Sequence, residues 1–375
     1  MLEAYPFNDA HLCPFPVGVD ENNTAVWLNL HLAPHLLVVG ATRGGKTNYL
    51  KGVLCALIQT QTPEELQLVL VDNKGTEFMA FRDVPHVVGG ICDNTEHILA
   101  PVQRVADEIK RRSQLFKEAG VTTIIDYNDH VPDDKRLPRV LMIVDELQPI
   151  TELPREAREK VYQYFARIGS LGAAAGIHGI LCTQYAERNI IRGGIKTHFV
   201  YRVAFKMASG SDSMTAIRNH AAFKLPNIRG RAVYTYNPDP IEVQTAFVQE
   251  KHLAYAFAQA RQQPAPIPFF EVSTVEEDTQ EFKLPVKVRR RLTEEEFIEL
   301  ALTKLDGKLS PLNADKYLGD ESPGKRYFDR MLENLRNRGQ VEFNGKFYEV
   351  RRGDRMAYTL TPLTEQVDAI QALTA

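Results

Sequence analysis

"GATRGGKTNYL" (residues 40–50) follows the apolar run "HLLVVG" (35–40) and opens a helix-forming stretch, "TNYLKGVLCALIQ". Gly40, Gly45, Lys46 and Thr47 satisfy GxxxxGK[ST]. Glycines in such a loop let backbone N–H groups turn inward around phosphate oxygens. The lysine reaches the β- and γ-phosphates, and the threonine hydroxyl helps to hold Mg²⁺. The helix that follows presents the positive end of its dipole to the same phosphates. Gly40, Ala41, Thr42, Arg43, Gly44, Gly45, Lys46, Thr47 and Asn48 are therefore the expected cradle for ATP and Mg²⁺. A glycine-rich turn without a ligand is the competing reading, and the strand before and helix after weigh against it.

Outward from this loop, apolar runs alternate with helical patterns from His35 to about Val248. The strand candidates are "HLLVVG", "LQLVLVD" (66–72), "RVLMIVDE" (139–146), "IHGILCTQ" (177–184) and "HFVYRVAF" (198–205). Near-continuous apolar runs suit strands buried on both faces of a parallel sheet. Between them, residues 94–120 form an amphipathic pattern closed by Gly120, a long helix. The alternation predicts an α/β fold, a P-loop NTPase domain with a central mostly parallel sheet.

Two strand ends carry further chemistry. "VLMIVDEL" ends in Asp145 and Glu146. An aspartate there can hold Mg²⁺ through water, and the adjacent glutamate can orient and deprotonate an attacking water. "ILCTQ" ends in Gln184, placed to contact the γ-phosphate or that water. A solvated acidic pair and a structural glutamine are the alternatives.

Composition is that of a globular protein, with 44% hydrophobic and 25% charged residues and a net charge of −3 over 375 residues. The whole molecule is not a polycation, so nucleic-acid binding would need local basic patches. Cys13, Cys55, Cys92 and Cys182 lack metal-ligand or redox spacing and read as reduced thiols in a cytoplasmic protein. No secretory leader and no intrinsic membrane span is expected, because no apolar run approaches about 20 residues.

The linked motifs resemble those of the FtsK/SpoIIIE DNA translocases. The resemblance runs through "PFPVGVDENNTAVWLNLHLAPHLLVVGATRGGKT", "LVLVDNKGTEF", "RRSQLFKEAGVTTIIDYN", "LPRVLMIVDEL", "AAGIHGILCTQ" and "IKTHFVYRVAFKMASGSDSMTAI". They occur in family order over roughly residues 14–235. The resemblance implies a RecA-like ATPase that assembles as a ring, commonly a homo-hexamer, and pumps double-stranded DNA. Lys46, Asp145, Glu146 and Gln184 then carry catalysis, with Thr47 and Asp145 on the metal. Asp72, Lys74 and Glu77 match a family stretch. Arg202, or Arg192, is the candidate to complete a neighbour's site, beside the alternative of a surface or structural arginine. Arg43 stands where the family has a small residue, and Ala173 where it often has arginine. Compact relatives occur in phages, plasmids and integrative elements, so mobile-element, phage or membrane-complex partners fit.

After Pro264 the chain turns rich in proline and charge, which reads as a linker. "LTEEEF" then offers a capping box, Thr293 with Glu296, and Ile298, Ala301, Leu302 and Leu305 share a helical face. In "PGKRYFDRMLENLRNRGQVEFNGKFYEV", Phe328, Met331, Leu332 and Leu335 form an apolar face, and Asn344–Gly345 between alternating runs signals a hairpin. The expectation is a small winged-helix-like DNA-binding domain, with residues 322–338 as recognition helix and 340–350 as wing. Lys325, Arg326, Arg330, Asn334, Asn337 and Lys346 are the candidate DNA contacts. A solvated charged face is the alternative, since Asp329 and Glu333 are interspersed.

The expected organisation is a lead-in segment (1–34), a motor (35–263), a linker (264–291), the winged-helix-like domain (292–362) and a tail (363–375). The expected activity is ATP-driven DNA translocation. The alternative is an FtsK-like coupling or protein-export ATPase of a conjugation or secretion system, and a third reading is a DNA-binding regulator switched by ATP.

Overall fold

The computed structural model describes residues 13–41, 43–236, 240–263, 268–269, 292–318, 325–352 and 358–362. Contacts divide the chain into two units, Met1–Val272 and Ser273–Ala375.

The first unit is built on a ten-stranded sheet. Its strands are β1 (Pro14–Asp20), β2 (Ala25–Asn29), β3 (His35–Val39), β4 (Leu66–Val71), β5 (Val87–Cys92), β6 (Arg139–Val144), β7 (Ile177–Thr183), β8 (Tyr201–Phe205), β9 (Arg231–Thr235) and β10 (Ile241–Gln244). Their order across the sheet is β2-β1-β10-β9-β8-β3-β7-β6-β4-β5. From β5 to β8 every neighbouring pair is parallel. From β8 to β2 every pair is antiparallel.

The parallel strands are short runs of Val, Leu and Ile. Those of β3, β4, β6 and β7 are buried along their whole length, as expected where both faces are covered. Leu36 and Val38, with Leu68, Leu70, Leu141, Ile143, Ile180 and Cys182, pack on one face with α1 (Lys46–Thr60). The intervening residues Leu37, Val39, Val69, Val71 and Met142 are equally buried on the other face.

The further helices of this unit are α2 (Leu99–Ala119), α3 (Ile124–His130), α4 (Arg155–Leu171), α5 (Gly193–His198), α6 (Gly210–Ile217), α7 (Ala221–Lys224) and α8 (Glu250–Ala260). Gly120 closes α2 in the left-handed conformation, φ 72°. Among the described residues, no helix is long and apolar enough to cross a membrane.

The structure adjusts several expectations. Within the lead-in segment expected over 1–34, β1 and β2 form a hairpin that is part of the main sheet through β1–β10 pairing. "HFVYRVAF" is a strand only from Tyr201, because residues 193–198 close a helical turn first. β5, β9 and β10 carry no strong local pattern and are held by pairing with β4, β8 and β1. The linker expected over 264–291 lies mostly outside the described residues, as does the tail at 363–375. Phe269, inside that range, still donates its N–H to Gln67 Oε1 of β4 at 3.0 Å.

The second unit contains α9 (Glu294–Lys304), β11 (Lys308–Leu309), α10 (Pro311–Leu318), α11 (Lys325–Arg338), β12 (Gln340–Phe343), β13 (Lys346–Arg352) and β14 (Tyr358–Pro362). The capping box forms in both directions: Glu296 N donates to Thr293 Oγ1 at 3.2 Å and Thr293 N to Glu296 Oε2 at 2.8 Å. Phe297, Ile298, Ala301, Phe328, Met331, Leu335 and Leu360 are buried together. Asn344 and Gly345 both take positive φ, 50° and 73°, in the β12–β13 turn, as a tight hairpin turn requires. Four strands form the sheet, in the order β11-β14-β13-β12, where the pattern announced two.

Candidate functional site

The phosphate loop connects β3 to α1, at the carboxyl end of the parallel strands. Gly40 N donates to Thr183 O at 3.1 Å, so the loop starts from the end of β7 as well as its own strand. Gly45 takes φ 123°, and a Cβ there would lie 2.9 Å from Gly230 Cα; no other residue fits without displacing backbone. Arg43 is exposed and also left-handed, φ 67°. Ala41 is exposed, Gly44, Gly45 and Thr47 are half-buried, and Thr42 lies outside the described residues.

Lys46, the first residue of α1, is buried. Its ammonium donates to Asp145 O at 2.6 Å and lies 3.6 Å from Asp145 Oδ1 and 3.5 Å from Glu146 Oε2. Burial disfavours its charge, but the neighbouring Cys182, Asp145 and Glu146 together outweigh burial and the pKa is raised. Asp145 and Glu146 are themselves buried. Burial raises the Asp145 pKa; Lys46 opposes the rise, and the carboxylates of Glu77, Asp72 and Glu146 add to it. One ammonium cannot neutralise so many acids. Asp145 Oδ1 has no hydrogen-bond donor.

Glu146 is held from the neighbouring strand. Gln184 N, just past β7, donates to Glu146 Oε1 and Oε2 at 3.1 and 3.2 Å. Asn73 Nδ2 donates to Glu146 O at 2.7 Å. The Asp72 carboxylate, fully buried, accepts from Glu77 N at 2.6 Å and Phe78 N at 2.9 Å. Asp72 thus shapes the loop after β4. The structure brings Lys46, Thr47, Asp145, Glu146 and Gln184 to adjacent strand ends.

Two of the expected site residues make other contacts here. Arg202 is buried and donates to Phe199 O at 3.2 Å, Ala216 O at 2.8 Å and Lys196 O at 2.9 Å. Its guanidinium joins α5 and α6 to β8. Arg192 is likewise engaged, with Glu159 at 2.9 Å and the Tyr162 ring 4.0 Å away. Asn48 is the second: both ends of its side-chain amide bond Val248, Nδ2 to O at 2.9 Å and Val248 N to Oδ1 at 3.0 Å. It fastens α1 to the chain beyond β10. Sequence inspection missed Gly230, whose N–H donates to Gly44 O at 2.9 Å; its neighbours "NIRGRA" form no motif.

In the second unit, Asn334, Asn337 and Lys346 are exposed. Asn334 Nδ2 lies 3.4 Å from Glu294 Oε1, and Arg338 also pairs with Glu294. Lys325, Arg326 and Arg330 belong to α11, but their side chains lie outside the described residues.

Residues 2–187 match the FtsK/SpoIIIE family model. A DNA translocase FtsK of Streptococcus agalactiae serotype V is 32% identical over 255 residues, 65% of this chain and 30% of that protein. The first unit of this chain belongs to the FtsK/SpoIIIE family. The chain spans only 30% to 34% of the length of curated relatives such as this one and its Lactococcus lactis counterpart. Among solved structures, the pCW3 conjugation coupling protein TcpA, in its monomer form with ATPγS, is similar with a TM-score of 0.60 and 22% identity. That match covers 68% of this chain and 73% of that one. The cytoplasmic domain of the type VII secretion ATPase EccC of Thermomonospora curvata is similar with a TM-score of 0.58 and 26% identity, covering 70% and 33%.

Proposed function

We propose that this chain is an ATP-hydrolysing motor that translocates double-stranded DNA. The observation that carries the reading is the convergence at three strand ends of Lys46, the Asp145–Glu146 pair and Gln184, with Glu146 hydrogen-bonded to the Gln184 backbone. The similarity to DNA translocases supports duplex DNA as the substrate.

In this reading Lys46 leaves the acid pair for the β- and γ-phosphates. Thr47 and Asp145 would hold Mg²⁺, which supplies charge neutralisation across those phosphates. The donor set fits a hard cation, and the buried Asp145 Oδ1 without a donor suits a position that a metal-bound water completes. Glu146 orients the attacking water and takes its proton. Because Glu146 grips Gln184, a change in its protonation alters the pull on the loop after β7, a direct link from hydrolysis to the surface.

The same reading includes a homo-hexameric ring in the cytoplasm and a second unit that works as a winged helix, loading or orienting DNA. Helices followed by a hairpin are the elements such a reader uses, with α11 in the groove and Lys346 on the wing. A second reading, a coupling or protein-export ATPase, is favoured by the fold likeness to TcpA and EccC.

The test is the steady-state ATPase rate of assembled protein with and without long duplex DNA. Strong stimulation by duplex supports the DNA motor. No stimulation shifts the assignment to a polypeptide cargo.

A further inference from the structure

A bound nucleotide needs a place for its base, and the groups described above serve only its phosphates. The β9–β10 pair meets the phosphate loop at two points. Gly230, at φ 81°, donates to Gly44 O, and Thr245 fixes Gly230 in turn: its N and Oγ1 donate to Gly230 O at 2.9 and 3.0 Å. Three residues later, Val248 is bonded through both backbone groups to Asn48, and it packs on α1, where a Cβ at Gly52 would lie 3.4 Å from Val248 Cγ2.

Phe247 stands between these anchors. Its side chain is 65% exposed, more than any other large apolar side chain among the described residues. Ile228, two residues before Gly230, is 49% exposed. A large apolar ring in water forgoes the free energy of burial. Here that ring rides on backbone tied on both sides to the phosphate loop and its helix, so it is presented at a fixed place beside the phosphate cradle. A flat π-system is the natural complement of such a ring, since aromatic pairs gain from stacking beyond the area they bury.

We infer that Phe247 is the stacking platform for the base of the nucleotide held by residues 40–47, with Ile228 adding apolar surface on the adjoining turn. The inference rests on the reading of that loop as an ATP cradle. Base–aromatic stacking is worth about 1–3 kcal/mol, which corresponds to roughly 5- to 150-fold in affinity.

Calorimetric titration of the full chain with ATP and, separately, with inorganic tripolyphosphate tests it. Phe247→Ala should weaken ATP binding about tenfold or more and leave tripolyphosphate binding unchanged, and Phe247→Trp should retain ATP affinity. Unchanged ATP affinity in Phe247→Ala overturns the platform, and so does an equal loss of both ligands, which would mean a disturbed cradle. Unchanged ATP affinity with altered oligomeric state would make the ring a contact between copies of the chain. Wild-type protein that binds neither ligand would overturn the cradle and the platform together.

Discussion

Both carboxylate oxygens of Glu146 lie within hydrogen-bond distance of Gln184 N, at 3.1 and 3.2 Å. The two residues follow neighbouring parallel strands, β6 and β7. The residue proposed to activate water and the loop beyond β7 are therefore one hydrogen bond apart.

Glu146→Gln keeps an oxygen that can accept the Gln184 N–H but cannot take a proton at neutral pH. ATP affinity should stay within a few-fold of wild type, while turnover falls about 10²- to 10⁴-fold. Binding and phosphate release measured on the same sample separate the two. Wild-type turnover would mean that the base lies elsewhere.

Lys46→Ala should abolish ATP binding and also lower stability, because it strips the cation from Asp145 and Glu146 in a buried site. Breaking a buried pair from one side costs about 3–5 kcal/mol. Urea unfolding at pH 7 should show the loss, and adding Asp145→Asn should recover part of it. A Lys46→Ala protein as stable as wild type would mean that the acids are already protonated.

Arg202→Ala leaves two carbonyls, those of Phe199 and Ala216, without their donor, while Lys196 O keeps Arg218 Nη2 at 3.0 Å. Each orphaned group costs about 1–3 kcal/mol, so the melting temperature should drop by many degrees. A variant of unchanged stability that fails only in ATP turnover would restore the trans-acting role.

Stability should also fall in acid through His35. Both its ring nitrogens are buried without partners, beside Phe199 and His178. Burial, aided by the nearby His198, lowers its pKa to about 3. The unfolded chain, with an ordinary histidine near 6.5, binds the proton that the folded chain excludes. The contribution is complete above pH 6.5 and is lost as pH falls towards 3, at about 1.4 kcal/mol per pH unit. His35→Leu should flatten the dependence of the unfolding midpoint on pH over that window; an unaltered slope would assign the acid sensitivity to other groups.

Lys346 is exposed, beside the β12–β13 turn, and reads as a phosphate contact of the proposed wing. Lys346→Ala should weaken duplex binding on all sequences alike and reduce the salt slope by about 1. An unchanged slope would leave this lysine on a solvated face.

The parallel core and the cradle were legible because their signals are local. A strand buried on both faces must be apolar throughout, and a loop that wraps phosphate must carry glycine next to lysine. "HLLVVGATRGGKT" meets both demands within a dozen or so residues. Asp145–Glu146 and Gln184 stood out for the same reason, as polar ends of apolar runs. Arg202 was left open between two roles because an arginine in a strand looks the same in sequence whether its guanidinium faces a neighbour or three carbonyls of its own chain.

What the sequence determined by itself is which residues end which strands. It did not determine that β7 lies between β3 and β6, which sets the strand of Gln184 between those that lead to the lysine and to the acids. Strand order is a property of long-range pairing, and five apolar runs of similar make-up can be paired in many orders. The same holds for Gly230 against Gly44 and for Phe247 beside the cradle. Those contacts join segments about 200 residues apart, and only the assembled sheet, burying both faces at once, selects them.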